Sequence, residues 1–269
     1  MKYILALLLL VTQTVYAQKG AYVLYDYDLD RSQVAYNVDD VRSIASITKL
    51  FTAIVVLRSG VELDEKVKVQ GKSRGKFSKG MMISRNNLMR AMLINSDNLA
   101  AETLANTYPG GFVKFILDAN EYARGMGLIN TKIVDSSGLL EGNTSTASDL
   151  ITFLWKIRDN EVIRNISKER NDHISVPKGK KNITVNLRNT NPSLFVFDNI
   201  LISKTGFTNP AGRCVIMLVE KNNSLHGIVI LGQKNVKDRS QIANNLITAK
   251  ALEHKKEQVF EPIVFEFPM

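Results

Sequence analysis

The stretch from Ser43 to Gly60, SIASITKLFTAIVVLRSG, is apolar almost all the way round a helix. Ile47, Leu50, Ile54 and Leu57 recur at helical spacing, and Phe51, Ala53 and Val55 fill most of the remaining directions. A helix of that kind is buried, so the rest of the chain must enclose it. Ser43 is expected to cap its start and Gly60 to stop it in a left-handed conformation. Ser46 and Lys49 are three residues apart and share a face in its first turns. Desolvation and the positive end of the helix dipole both oppose an ammonium there. A lysine so placed is a candidate neutral amine, able to take a proton from a serine hydroxyl.

Ser-x-x-Lys alone is not specific, and about one copy is expected by chance in a chain of this length. The chain carries it at Ser46/Lys49, Ser73/Lys76 and Ser175/Lys178. The second copy lies in a glycine-rich basic loop, GKSRGKFSKG, and the third contains Pro177. Only the first falls on a predicted helix.

Residues 1–17, MKYILALLLLVTQTVYA, read as a secretory leader with one lysine, a short apolar run and Val15 and Ala17 placed for cleavage. The leader has no cysteine for lipid attachment, and no later stretch is long and apolar enough to span a bilayer. The expectation is an exported protein of the periplasm or cell-wall space, with no stable membrane anchor. Cys214 is the only cysteine, which excludes an internal disulfide, and its setting in CVIMLV marks it as a small core residue. The net charge is +9, or +8 once Lys2 leaves with the leader. A basic surface suits an anionic wall polymer or a carboxylate-bearing substrate. No aromatic-basic recognition motif points to nucleic acid.

Along the chain, Ala21 to Tyr27 and Gln33 to Tyr36 form a predicted hairpin, and Lys66 to Val69 a short strand. Predicted helices cover Arg85 to Ile94 behind a Ser84 cap, Asp97 to Asn106, Phe112 to Arg124, and Ser148 to Arg158 behind Ser145/Thr146. Strands are then expected at Asp172 to Val176, Asn182 to Leu187, Asn199 to Lys204, Gly212 to Glu220 and Ser224 to Leu231. Lys221-Asn222-Asn223 is the turn between the last two, and a helix from Ser240 to His254 follows. Strands at both ends and helices between them suggest an α+β architecture. One antiparallel sheet would be built from both chain ends, with a helical lobe inserted at about 60–168 and Ser46 between the two.

Serine chemistry most often uses a histidine. His173, His226 and His254 are present, but no Gly-x-Ser-x-Gly is, and His226 sits in a predicted strand. No His-Glu-x-x-His or Cys/His cluster offers a metal site or calls for a cofactor. Lysine-assisted serine chemistry remains. Ser96-Asp97-Asn98 stands between two helices, where Ser96 reads equally as a cap. Lys204-Thr205-Gly206 ends a strand, where it reads equally as a turn. Ser-x-x-Lys, Ser-Asp-Asn and Lys-Thr-Gly in that order are the motif set of class A β-lactamases and penicillin-binding proteins.

On these motifs the chain resembles the low-molecular-mass penicillin-binding proteins, the D-alanyl-D-alanine carboxypeptidase and endopeptidase family, from about Ala21 to Ala251. Asp135-Ser136-Ser137-Gly138-Leu139, Asn143 and Ser145-Thr146-Ala147 extend the likeness. Tyr108-Pro109-Gly110-Gly111, Asn189-Thr190-Asn191 and Ala211-Gly212-Arg213-Cys214 are similar to the periplasmic murein D,D-endopeptidases within it. The resemblance implies the penicillin-binding, serine β-lactamase-like fold: an antiparallel sheet flanked by helices. A catalytic region would span 18–255, followed by a tail, 256–269, without the extra β-rich domain and amphipathic anchor of membrane-bound carboxypeptidases.

The resemblance also implies roles. Ser46 would be the nucleophile, and Lys49 its base, kept neutral by burial and by the nearby Lys204 cation. Ser96 would relay a proton to the leaving amine, and Asn98 would hold the substrate amide. Lys204, Thr205 and Gly206 would line the strand edge where peptide docks. The backbone N–H groups of Ser46 and Phe207 would form the oxyanion hole, and Arg239 would meet the substrate carboxylate. The partners implied are peptidoglycan peptide stems, with β-lactams as inhibitors. The activity expected is D,D-endopeptidase, with D,D-carboxypeptidase as the alternative. A class A β-lactamase would need Glu-x-x-Leu-Asn, and Glu102/Asn106 and Glu161/Asn165 carry Ala105 and Arg164 where leucine belongs. An inactive wall-binding protein is a further alternative that the complete motif set opposes.

Overall fold

The computed structural model describes residues 20–179 and 181–248. The leader, the tail and the end of the helix expected to reach His254 lie outside them. Strands β1 (Ala21–Asp26) and β2 (Arg31–Tyr36) form the expected hairpin. A two-residue strand β3 (Arg42–Ser43) leads through a 3-10 turn, Ala45–Ile47, into helix α1 (Thr48–Arg58). Strands β4 (Lys66–Lys68) and β5 (Met82–Ser84) pair with each other. Helices α2 (Arg85–Ile94), α3 (Asn98–Asn106) and α4 (Gly111–Gly125) follow. Then come β6 (Thr144–Ser145), α5 (Ala147–Ile157) and α6 (Glu161–Ser167). The chain continues as β7 (Asn171–Lys178), β8 (Lys181–Arg188), β9 (Ile200–Thr208), β10 (Gly212–Lys221), β11 (Ser224–Gln233) and α7 (Val236–Thr248).

The main sheet has the order β2-β1-β11-β10-β9 and is antiparallel throughout. The two chain ends meet in it, β1 lying beside β11 with Val23 opposite Val229. Its central strands are buried on both faces, as their near-continuous apolar runs require. Val215, Met217, Ile228 and Ile230 face α7, where Ala243, Leu246 and Ile247 cover them. Cys214, Ile216, Leu218, Val229 and Leu231 alternate to the other face and join the large core that encloses α1. There Phe51 of α1 stacks on Phe153 of α5 with ring centroids 3.9 Å apart. The β10–β11 hairpin turns at Asn222 and Asn223, both left-handed, which suits asparagine.

Four sequence expectations need correction. Ser43 does not cap α1: it extends β3, which pairs with β6, and its buried hydroxyl has no partner among the described residues. Sheet pairing has claimed the residue that local propensity assigned to a cap. Lys204-Thr205-Gly206 is not a turn, because β9 runs on through it to Thr208, paired with β10. Asp97, not Ser96, caps α3, accepting from the Ala100 N–H at 2.8 Å. Arg239 lies inside α7, which starts earlier than expected, and it is buried.

Candidate active site

Ser46 sits in the 3-10 turn and Lys49 in the first turn of α1. In a 3-10 turn, side chains three apart eclipse, which brings this pair together more closely than an α-helix alone would. Lys49 Nζ is 2.9 Å from Ser46 Oγ. It also donates to Asn98 Oδ1 at 2.7 Å and to the Ser137 carbonyl at 2.5 Å, and Lys49 is fully buried. Ser46 Oγ reaches the same carbonyl at 3.4 Å. Burial lowers the Lys49 pKa to about 7, against the opposing pull of Asp135, Asp97 and Glu102. At neutral pH much of this lysine is amine. Its two N–H groups then satisfy Asn98 and Ser137, and its lone pair faces Ser46.

Burial is the first cause of the Lys49 shift, and Lys49 and Lys204 act on each other as buried neighbours. Lys204 is itself pushed well below its ordinary value, by burial first and then by Lys49 and Arg239. Its amino group is buried and donates to the Thr205 carbonyl at 2.9 Å. Thr205 is held by Thr190, their hydroxyl oxygens 2.5 Å apart. A Cβ at Gly206 would stand 2.9 Å from the Ser46 nitrogen and 3.0 Å from the Ile44 carbonyl oxygen. The absent side chain is what lets β9 lie against the turn that carries Ser46. Phe207, next along the strand, is half exposed, with the Arg213 guanidinium 3.5 Å over its ring. The Arg239 pKa is lowered by burial and then by Arg213. Lys204, Arg213 and Arg239 thus bring three basic groups together near β9 and β10, with burial opposing the charge on Lys204 and Arg239.

Ser96 adopts a left-handed conformation, φ 59°, between α2 and α3, and Ala45 does the same, φ 46°, just before Ser46. Each such residue costs about 1–3 kcal/mol, and such strain clusters at functional sites. Ser96 is partly exposed, and its hydroxyl bonds to no other described group. Asp97 accepts from the Lys76 N–H. Glu102 accepts from the Lys72 and Ser73 N–H groups at 2.6 and 3.0 Å. These two acids strap the loop before β5 to α3, so Glu102 is committed to structure.

The sequence reading assigned no role to Ser137 or Gly138, which the structure places at the centre. Asp135 accepts N–H bonds from Ser137, Gly138 and Leu140 at 2.7, 2.5 and 2.7 Å. That tight turn presents the Ser137 carbonyl to Ser46 and Lys49. Gly138 has φ 79°, and a Cβ there would fall 1.9 Å from the Ala45 carbonyl oxygen. The Asp-Ser-Ser-Gly run was the available signal, as turn chemistry, but a carbonyl's target cannot be read from it. Asn189 and Asn191 are structural. Asn189 Nδ2 donates to the Ser167 and Glu169 carbonyls, and Asn191 Nδ2 to Ser203 Oγ at 2.8 Å.

No histidine among the described residues bonds to Ser46. His226 on β11 pairs with Asp26 on the neighbouring β1 at 3.3 Å, and His173 is exposed on β7. Cys214 is buried and its thiol pushed up to about 11 by burial, as suits a core residue. No helix among the described residues is long and apolar enough to cross a membrane.

Comparison with known proteins places the chain among relatives of similar sequence and fold. A D-alanyl-D-alanine endopeptidase of Escherichia coli (strain K12) is 38% identical over 214 residues, covering 76% of this chain and 68% of the relative. One of Pseudomonas aeruginosa is 36% identical over 220 residues, covering 79% and 70%. Among solved structures, a single-substitution mutant of the Streptomyces K15 DD-transpeptidase superposes with a TM-score of 0.78 at 26% identity, covering 86% of this chain and 96% of that one. The family model for D-alanyl-D-alanine carboxypeptidases, peptidase S11, matches residues 11–235. With the lysine-served serine in place and most of its length matched, the chain belongs to the D-alanyl-D-alanine carboxypeptidase family of serine peptidases, S11.

Proposed function

We propose that the protein is an exported D,D-endopeptidase that cleaves the D-Ala to diamino-acid cross-link of peptidoglycan. The observation that carries this reading is the Ser46–Lys49 pair, 2.9 Å apart and buried, with the amine near neutrality at pH 7. Neutral Lys49 takes the Ser46 proton as Oγ attacks the D-alanine carbonyl. The carbonyl oxygen becomes an oxyanion received by the backbone N–H groups of Ser46 and Phe207. A donor of this kind contributes about 3 kcal/mol in the transition state. Lys49 then returns its proton, by way of Ser96, to the departing amine as the C–N bond breaks. Water, deprotonated along the same route in reverse, hydrolyses the ester and frees Ser46.

The peptide docks as an added strand along β9 at Thr205 to Phe207, with Asn98 on its amide. Lys204 and Arg239 supply positive charge for a carboxylate, which would restore the Lys204 ammonium that burial disfavours. β-Lactams, which mimic the D-Ala-D-Ala terminus, would acylate the same serine. Residues 1–17 are the export leader in this reading, and the protein acts in the periplasm or wall space.

The two endopeptidase relatives favour cross-link cleavage over removal of terminal D-alanine. Purified cross-linked muropeptide dimers and pentapeptide monomers, digested side by side, decide between them. Dimers should fall to monomers faster than pentapeptides are trimmed. Persisting dimers with trimmed pentapeptides would transfer the assignment to a D,D-carboxypeptidase.

A further inference from the structure

A cleft of about 340 Å³ lies between the loop before β5, the end of α2 and the β7–β8 hairpin. Its volume is at the lower end of small-molecule sites, roughly 300–1,000 Å³. Lys76, Asn95, Asn171, Asp172, His173 and Arg188 line it. Three of its walls are tied directly to the catalytic motifs. The Lys76 N–H donates to Asp97, and Asn95 precedes Ser96. Arg188 stands two residues before Thr190, whose hydroxyl meets that of Thr205. These links place the cleft one residue from Ser96 along the chain on one wall, and two residues from the Thr190 that meets β9 on another.

The charges lining it are unbalanced. Its one carboxylate, Asp172, is already matched by Arg90 at 2.6 Å. Among the described residues, neither the Lys76 ammonium nor the Arg188 guanidinium has an ion-pair or hydrogen-bond partner. Arg188 is nonetheless held in place, its guanidinium 4.6 Å over the Phe195 ring. A guanidinium fixed by its face keeps its edge donors free for a planar carboxylate.

We propose that this cleft is a subsite for a carboxylate-bearing segment of the stem peptide remote from the scissile bond, with Lys76 and Arg188 as its specificity-determining cations. The proposal rests on the peptidase reading and adds to it where a cross-linked substrate gains affinity over a short one. In this proposal a substrate that ends at the scissile residues stops short of the cleft, whereas a dimer extends into it.

The test compares wild type with the double variant Lys76→Glu/Arg188→Glu, using a muropeptide dimer and a short acyl-D-Ala-D-Ala peptide. Labelled penicillin first shows whether each protein is folded and acylated at Ser46. The ratio of KM for the dimer to KM for the short peptide should rise about tenfold in the double variant, with kcat for the dimer retained. Added salt should raise the dimer KM of wild type and move that of the variant less. Lys76→Arg/Arg188→Lys, which keeps both charges, should restore most of the ratio. An unchanged ratio in proteins that penicillin acylates would overturn the subsite and leave the peptidase reading standing. A folded wild type that penicillin does not acylate would overturn both.

Discussion

Lys49 Nζ lies 2.9 Å from Ser46 Oγ and shares with it the Ser137 carbonyl, so nucleophile and base are aimed by a backbone group 91 residues away in sequence from the serine. Three consequences of this relationship can be measured.

Lys49→Arg keeps the cation and removes the neutral amine, because arginine stays protonated at working pH. Penicillin acylation should slow by about 10²–10⁴-fold, the usual worth of a general base, while circular dichroism stays native. A variant acylated at the wild-type rate would show that another group takes the Ser46 proton.

The pH dependence follows from the sign of the Lys49 shift. A lysine lowered to about 7 is protonated and idle below that pH, and free to act above it. Acylation should therefore climb about tenfold per unit below pH 7 and level off above. Asn98→Asp would place a carboxylate where Asn98 Oδ1 now meets Nζ at 2.7 Å. The ammonium then gains a counter-ion, so the midpoint should move up by about 1–3 units. A midpoint that stays fixed in Asn98→Asp would contradict the assignment of the limb to Lys49.

Gly138→Ala tests the turn that presents the carbonyl. The added Cβ meets the Ala45 carbonyl oxygen in a left-handed backbone, and neither can yield without moving Ser46. A loss of about 2 kcal/mol or more is expected, with the unfolding midpoint down by about 4–8 °C and acylation slowed. Gly125→Ala, with nothing near its Cβ and no positive φ, should change stability by less than about 1 kcal/mol. Equal behaviour of the two variants would remove the turn from the account.

Much of the fold was legible because burial and period agree. Alternation in β10 and β11 and the all-round apolar character of α1 leave few other solutions. Helix α6 was not resolved from its surroundings, since seven residues give barely two turns of pattern. The end of β9 was misread because glycine and threonine signal a turn locally, whereas pairing with β10 holds them extended. The side chains of the site were legible as motifs, the order of three short patterns being far rarer than any one. What the sequence could not show is which groups act through the backbone. The Ser137 carbonyl carries no side-chain signature, and the left-handed conformations of Ala45 and Ser96 fall on residues with no preference for them.

The most direct measurement is peptide mapping by mass spectrometry after reaction of the folded protein with a labelled penicillin. The account predicts one adduct per chain, on the peptide containing Ser46, and none in Ser46→Ala. An adduct on any other residue, or none on wild-type protein shown to be folded, would contradict it.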